Sequence, residues 1–388
     1  MKLPIYLDYN ATTPVDPRVV EAMMPFFTDT FGNSASIDHQ HGAYASEAVE
    51  KARATIAATI NARPEEIIFT SGATESDNLA LIGVMEANED RGDHLVTCRT
   101  EHPAVLETAT YLQKRGKRVV YLDVDSTGLV DPDAIKRAIT NRTVLVSIMS
   151  ANNEIGTLAP LAEIGSIAHE RAALFHTDAT QAIGKIEIDV QKLGIDLMSF
   201  SSHKIYGPKG VGALYVRRRN PFVRLSPLLH GGGHERGVRS GTVNVAGVVG
   251  FAAAMDLAKR QLRSEQRRLS ALGERLLNGI LDGVEGAQLN GHVSQRLAHC
   301  VNVHIAGVEN KALIVALRER LSFSAGSACA TSKAEASHVL LALGYDAARS
   351  YGSIRLSIGH PTTELDVKYA VDEIVATVAS IRSKFTRV

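Results

Sequence analysis

Ile67-Ile68-Phe69-Thr70-Ser71-Gly72-Ala73-Thr74-Glu75-Ser76 decides the reading of the chain. Four residues rich in β-branched and aromatic side chains give way at a glycine to a stretch with helical spacing over Glu75–Glu86. Strand, tight turn and helix in that order are the unit of an α/β sheet. The turn has two readings. Ser71 or Thr74 can cap the helix as an ordinary N-cap. Alternatively, the unpaired N–H groups and positive dipole end of the helix form a phosphate cup.

Working outward, the same alternation continues. His94–Thr97, Arg118–Leu122, Val144–Ile148, Leu174–Thr177 and Leu197–Phe200 read as further strands, and Leu161–His169 as a helix between two of them. Most of these strands are apolar almost throughout, as expected of a mainly parallel sheet covered on both faces. A long charged helical stretch runs from Gly250 to Gly283. Beyond it, shorter strands and helices indicate a smaller α+β domain. The expected division is a large domain over residues 15–255 and a small one built from 1–14 and 256–388.

Composition sets outer limits. With 42 Lys+Arg against 42 Asp+Glu the net charge is zero, so no overall basic field points to nucleic acid. Hydrophobic residues at 45% and charged residues at 22% fit an ordered globular chain rather than a disordered one. No run reaches the ~18 apolar residues of a membrane helix, and Asp8 interrupts the N-terminus before a leader-like segment develops. Three cysteines (Cys98, Cys300 and Cys329) are too few for a disulfide scaffold. A soluble cytoplasmic protein is expected, without membrane association. His39-Gln40-His41 looks like a metal pair, but no accompanying cluster has zinc spacing, so no metal is expected.

Three further segments carry chemistry. Phe200-Ser201-Ser202-His203-Lys204-Ile205-Tyr206-Gly207-Pro208 places one lysine just past a strand end, where α/β sheets bind ligands. A desolvated lysine there can bond covalently to a carbonyl; otherwise Lys204 is a solvated loop charge. His176-Thr177-Asp178-Ala179-Thr180-Gln181 puts an acid at another strand end, either as a helix cap or as the partner of a buried cation such as a pyridinium. Lysine, acid and phosphate cup together describe pyridoxal phosphate binding. Cys329, within Ser324-Ala325-Gly326-Ser327-Ala328-Cys329-Ala330, sits among small residues as an exposed nucleophile would, whereas Cys98 and Cys300 lie in strand-like apolar runs.

The chain resembles the cysteine desulfurases of the NifS/IscS kind, in the class V aminotransferase group of fold-type I pyridoxal phosphate enzymes. The resemblance runs nearly end to end. It includes Tyr6–Pro14, Thr70–Ser76, Glu101-His102-Pro103, Asn152–Gly156, His176–Gln181, Ser202–Gly210, Gly231–Thr242, the Cys329 segment and Ser353–Ser357. It implies a seven-stranded, mainly parallel sheet in the large domain, and conversion of L-cysteine to L-alanine with sulfur passed to Cys329 as a persulfide. Lys204 would carry the cofactor, Asp178 pair with its ring nitrogen, Gln181 bond its hydroxyl, Asn153 support its polar edge and His102 stack on it. Ala73, Thr74, Ser201 and His203 would hold the phosphate, joined by Thr242 from a second subunit of a homodimer with shared sites. Arg355 would bind the substrate carboxylate, with Asn33 helping to position it. The sulfur would pass to a protein acceptor, an iron–sulfur scaffold or a thiolation carrier, without direct nucleic-acid binding. Ser34, Ala330, Thr331 and Ala336 stand where the family commonly has Pro, Thr, Ser and Pro. A selenocysteine lyase or another β-eliminating enzyme is the alternative.

Overall fold

The computed structural model describes residues 3–326 and 336–385. Twelve strands occur among them: β1 (Ile5–Tyr6), β2 (Ile67–Thr70), β3 (His94–Cys98), β4 (Arg118–Leu122), β5 (Thr143–Ser147), β6 (Leu174–Asp178), β7 (Leu197–Ser201), β8 (Gly212–Val216), β9 (Ala287–Leu289), β10 (Cys300–Ile305), β11 (Leu321–Ser322) and β12 (Ser353–Ser357). Seven form one sheet in the order β2-β8-β7-β6-β5-β3-β4, in which β8 runs antiparallel to both its neighbours and the other six strands share one direction.

Alternation along the strands feeds two hydrophobic cores. Ile67 and Phe69 pack on one face with Val96, Val146, Phe175, Met198 and Phe200, beneath the helices Gln40–Thr59 and Leu161–Glu170. Ile68 points the other way, joining Leu95, Leu145, Leu174 and Leu197 against the helices Ala73–Ala87 and Pro103–Lys114. With both faces covered, five-residue strands such as β5, β6 and β7 are buried at every position. The edge strand β4 exposes alternate residues instead. The six strands read from the sequence are all present to within a residue. The antiparallel β8 was not among them.

A smaller antiparallel sheet, β12-β10-β9, has its own core of Leu276, Ile280, Val301, Val303, Leu313, Ile354 and Leu356. The chain's start packs on that core: β1 pairs in parallel with β11 as a separate two-stranded sheet, Ile5 opposite Leu321, and Ile5 and Leu7 are buried there. The 39-residue helix Val245–Gly283 reaches both cores. Val248, Phe251 and Met255 pack in the first, and Leu272, Leu276 and Ile280 in the second. No described helix is long and apolar enough to cross a membrane.

Candidate active site

The carboxyl ends of the co-directed strands open onto one cavity of about 920 Å³. In a sheet of this kind, ligands bind at that edge. Ser71–Thr74 follow β2, His102 follows β3, Asn153 follows β5, Asp178 ends β6, Ser201 ends β7, and His203 and Lys204 come just after it. The opposite wall comes from Asn10, Ala11, His338 and Arg355.

The turn after β2 is built around glycine. Gly72 has φ +153° and is the N-cap of Ala73–Ala87, without a side-chain cap. Neither Ser71 nor Thr74 takes the capping role that an ordinary helix start would give it. Ser71 N–H donates instead to Glu75 Oε2 at 2.8 Å. Gly212 on β8 lies against this turn so closely that a Cβ there would sit 2.7 Å from Gly72 Cα. The helix start thus meets the cavity with its amide donors free of a side-chain acceptor, beside buried Ser201.

Lys204 lies in the 3₁₀ turn Ser202–Lys204, and its Nζ donates to the carbonyls of Asn10 and, at 2.8 Å, Ala11. Tyr206 follows with φ +66°, a strained setting for a side chain of its size. Its N–H donates to Thr13 Oγ1 at 2.8 Å, its carbonyl accepts from Asp16 N–H at 2.9 Å, and its hydroxyl accepts from His360 N–H at 2.6 Å. These bonds fix the turn that aims Lys204.

Asp178 is 5% exposed, and its Oδ1 accepts from Thr180 N–H at 2.8 Å. It therefore caps the following turn and also lines the cavity. Behind it lie two buried acids. Asp77 has no hydrogen bond to either oxygen and is 3.7 Å from His176 Nε2. Glu101 accepts from Met149 N–H at 2.6 Å. Burial, then the Asp178 charge, pushes Asp77 well above the carboxylate range; burial does the same to Glu101. Burial also takes His176 down to about 3. Two acids thus lie buried behind Asp178, and the His176 ring beside Asp77 is neutral.

His102 is the N-cap of Pro103–Lys114. Its Nδ1 accepts from Ala104 N–H at 3.1 Å, which leaves the proton on Nε2. Burial lowers its pKa, so the ring facing the cavity is neutral. His203 is pushed down to about 4 by burial and bonds Thr12 Oγ1 through Nδ1 at 3.1 Å. Gln181 donates from Nε2 to the Asn10 carbonyl at 2.9 Å. Arg355, 1% exposed, donates to the Asn153 and Gly326 carbonyls at 2.9 Å each and to Asp8 Oδ1 at 2.7 Å; its Nε has no partner.

Ala73, Thr74, His102, Asn153, Asp178, Gln181, Ser201, His203, Lys204 and Arg355 all line this cavity. Asn33 and Thr242 do not: both are exposed, and Asn33 Oδ1 accepts from Ala35 N–H at 3.0 Å in its own turn. Cys329 lies outside the described residues. The described residues flanking it do reach the site, since Gly326 O accepts from Arg355 and Ala336 lines the cavity. His39 Nδ1 accepts from Gly42 N–H at 3.2 Å, as a helix cap. Cys98 and Cys300 are buried, and burial pushes Cys98 up to about 11. Asn10, Glu101, Asp77 and His338 also belong to the site or its backing, although none stands out as a site residue in the sequence. Three of these fall inside quoted motifs or beside them, but their contacts depend on distant segments: Asn10 on Lys204 and Gln181, and His338 Nε2 on the Glu101 carbonyl at 3.0 Å.

A lysine, a buried acid and an uncapped helix start thus lie around one cavity, as a fold-type I pyridoxal phosphate enzyme requires. The chain belongs to the aminotransferase class-V family, whose profile matches residues 5–370. Its relatives place it in the NifS/IscS branch. A cysteine desulfurase IscS of Dechloromonas aromatica is 49% identical over 383 residues, covering 98% of this chain and 94% of the relative. A solved NifS-like protein is 38% identical with a TM-score of 0.91, covering 97% of this chain and 100% of that one. A second structure, SspA in complex with cysteine, is 38% identical with a TM-score of 0.80, covering 91% of this chain and 98% of its own. Pyridoxal phosphate is the cofactor of this family, and the cavity's donor set suits it: free helix amides for the phosphate, Lys204 for the aldehyde carbon and Asp178 for the ring nitrogen.

Proposed function

We propose that this protein is a cysteine desulfurase that takes sulfur from L-cysteine and releases L-alanine. The observation that carries the reading is the convergence of Lys204, Asp178 and the uncapped start of Ala73–Ala87 on one cavity, with both described flanks of Cys329 at the same place.

The Ala73 and Thr74 amides, Ser201 and His203 would hold the cofactor phosphate, Gln181 and Asn153 would bond its polar edge, and His102 would cover its face. Bound there and paired with Asp178, pyridoxal phosphate supplies an electron sink for negative charge at the amino acid's Cα. Arg355, held in place by Asp8, presents its guanidinium to the substrate carboxylate. The Lys204 amine would take the Cα proton and return it to Cα after the carbon–sulfur bond has broken. The Cys329 thiolate attacks the substrate sulfur; the S–S bond forms as the substrate Cβ–S bond breaks. The electron pair left on the carbon skeleton is taken up by protonation, which gives the methyl group of alanine. One cysteine and one thiol become one alanine and one persulfide, with atoms and charge in balance.

The exposure of Asn33 and Thr242, away from their own cavity, supports a homodimer in which Thr242 completes the partner's phosphate site and Asn33 acts at its substrate end. The persulfide would pass to a protein acceptor in the cytoplasm, an iron–sulfur scaffold or a thiolation carrier. Residues 15–255 would form the cofactor domain, and 1–14 with 256–388 the domain that carries Cys329.

Alanine release and persulfide formation on Cys329, both from L-cysteine, are measured on the yellow holoenzyme beside Cys329→Ala. Near-complete loss of both products in the variant is the expected result. Alanine formation indifferent to Cys329 would overturn the nucleophile assignment.

A further inference from the structure

A second cavity, of about 600 Å³, lies behind Lys204, away from the proposed substrate side. Its walls are the middle of the helix Val245–Gly283, the segment Gly184–Ile186, the segment Arg296–His299, and the rings of Tyr9 and Tyr206. Leu257, Leu262 and Leu297 make much of the surface apolar. The volume lies in the range of small-molecule sites.

Three basic side chains line this cavity without a counter-charge. Lys185 Nζ has a neutral acceptor, Gln181 Oε1 at 3.2 Å, leaving donors to spare. Arg296 Nη2 donates to the Cys300 carbonyl, while its Nε is buried without a partner. His299 is 5% exposed, and its Nε2 is buried without a partner. None of the three joins an ion pair among the described residues. The acids on the same cavity are engaged or remote from need: Asp16 pairs with Arg18 at 2.7 Å, Glu265 with Arg268 at 2.9 Å and His360 at 3.0 Å, and Glu274 is exposed. Burial, and after it the Lys204 charge, takes Lys185 down to about 7. Burial lowers His299 well below its usual value, with Lys185 and Arg296 adding to the effect. Lys185 and Arg296 are met by neutral acceptors alone and His299 Nε2 by none, so this wall lacks a negative charge that an anion in the cavity would supply.

We propose that this cavity binds a small organic carboxylate, with its head group between Lys185, Arg296 and His299 and its apolar body along Leu257, Leu262 and Leu297. The site is distinct from the proposed substrate carboxylate position at Arg355, which lines the other cavity.

The test uses hexanoate as the probe and hexan-1-ol as its neutral counterpart, with binding to the holoenzyme read by saturation-transfer NMR. A charge-assisted head-group contact should make hexanoate bind at least about tenfold more tightly than hexanol. Lys185→Met and Arg296→Met keep the apolar stems and should each weaken hexanoate at least about fivefold while leaving hexanol unchanged. Excess L-alanine, the product of the proposed reaction, should not displace the probe. Equal affinity for hexanol, absence of hexanoate binding, displacement by L-alanine, or indifference to both substitutions in folded protein would each overturn the proposal. Should either variant fail to fold, the hexanoate–hexanol comparison on the unmodified protein decides. These readouts are independent of turnover, so they stand apart from failure of the desulfurase reading.

Discussion

Removing the carboxylate of Glu235 is expected to cost this protein about 3–5 kcal/mol, the usual penalty for breaking a buried ion pair. The pair is bidentate: Arg53 Nη1 reaches Glu235 Oε2 at 2.7 Å, and Nη2 reaches Oε1 at 2.8 Å. The two side chains are 4% and 3% exposed. Both are also tied to β2, since Arg53 Nη1 donates to the Ile67 carbonyl at 2.8 Å and Glu235 Oε2 accepts from Phe69 N–H at 2.9 Å. Burial opposes the Arg53 charge, but the Glu235 bond and charge outweigh it and hold the guanidinium above its ordinary value. Glu235→Ala leaves that cation with Glu50, whose side chain is 56% exposed, as its remaining anionic neighbour. The penalty corresponds to a fall of about 10²–10³·⁵ in the folding equilibrium constant, read from urea unfolding followed by circular dichroism. The double variant Arg53→Met/Glu235→Leu removes both charges and should lie closer to the parent than Glu235→Ala does. A loss below about 1 kcal/mol in Glu235→Ala, or a double variant as unstable as the sum of the singles, would refute the idea of an uncompensated buried charge.

Other expectations concern the site. Lys204→Ala should abolish turnover and the visible absorbance of the covalently held cofactor while leaving the far-UV spectrum unchanged. Gly212→Ala places a Cβ 2.7 Å from both Gly72 Cα and the Phe200 carbonyl, so the start of Ala73–Ala87 must shift. Cofactor affinity, titrated by absorbance, should fall at least about tenfold, with a stability cost of about 1–3 kcal/mol from overpacking. His203 is held at about 4 in the folded chain against 6.5 unfolded, so the unfolded state binds the extra proton between those values. Its contribution is therefore present above pH 6.5 and lost as pH falls toward 4. Asp77 and Glu101, raised by burial, act in the opposite direction, so the informative quantity is the difference from His203→Asn. Urea midpoints measured from pH 7 to pH 4 should fall less in the variant; parallel curves would show that His203 does not carry the effect.

The elements set by local patterning were legible in the sequence. Strands such as Leu174-Phe175-His176-Thr177 are apolar enough to be read as doubly covered, and the helix after Gly72 is periodic. The strand Gly212–Val216 was harder. Its residues are as apolar as those of β7, but it follows β7 after only the ten residues 202–211, which hold no crossover helix, and such a connection returns a strand antiparallel rather than extending the parallel series. The helix start was read correctly in place but left open between two roles. Gly72, not Ser71 or Thr74, occupies the N-cap, and only the packing of Gly212 against it shows why a residue without a side chain is required.

What local patterning could not reveal is the pairing of charges across the whole chain. Arg355 reads as an obvious carboxylate ligand, yet its guanidinium already holds Asp8 across 347 residues of sequence, and the Asn153 carbonyl across 202. Asn10 likewise joins the start of the chain to Lys204 and Gln181. The cavity is therefore closed by the smaller sheet and the N-terminal segment as well as by the main sheet, and its charge balance belongs to the assembled fold. That balance makes a further expectation for Asp8→Asn. The substitution keeps the shape of the acceptor but removes its charge, so Arg355 loses its anionic partner while retaining two carbonyls. A substrate carboxylate would then be the remaining anion for that guanidinium. KM for L-cysteine should fall while kcat stays level, because a carboxylate held equally in the ground and transition states gains affinity without assisting the chemical step. A rise in KM with kcat unchanged would instead mean that Asp8 serves to aim Arg355 and that its charge is not in competition with the substrate.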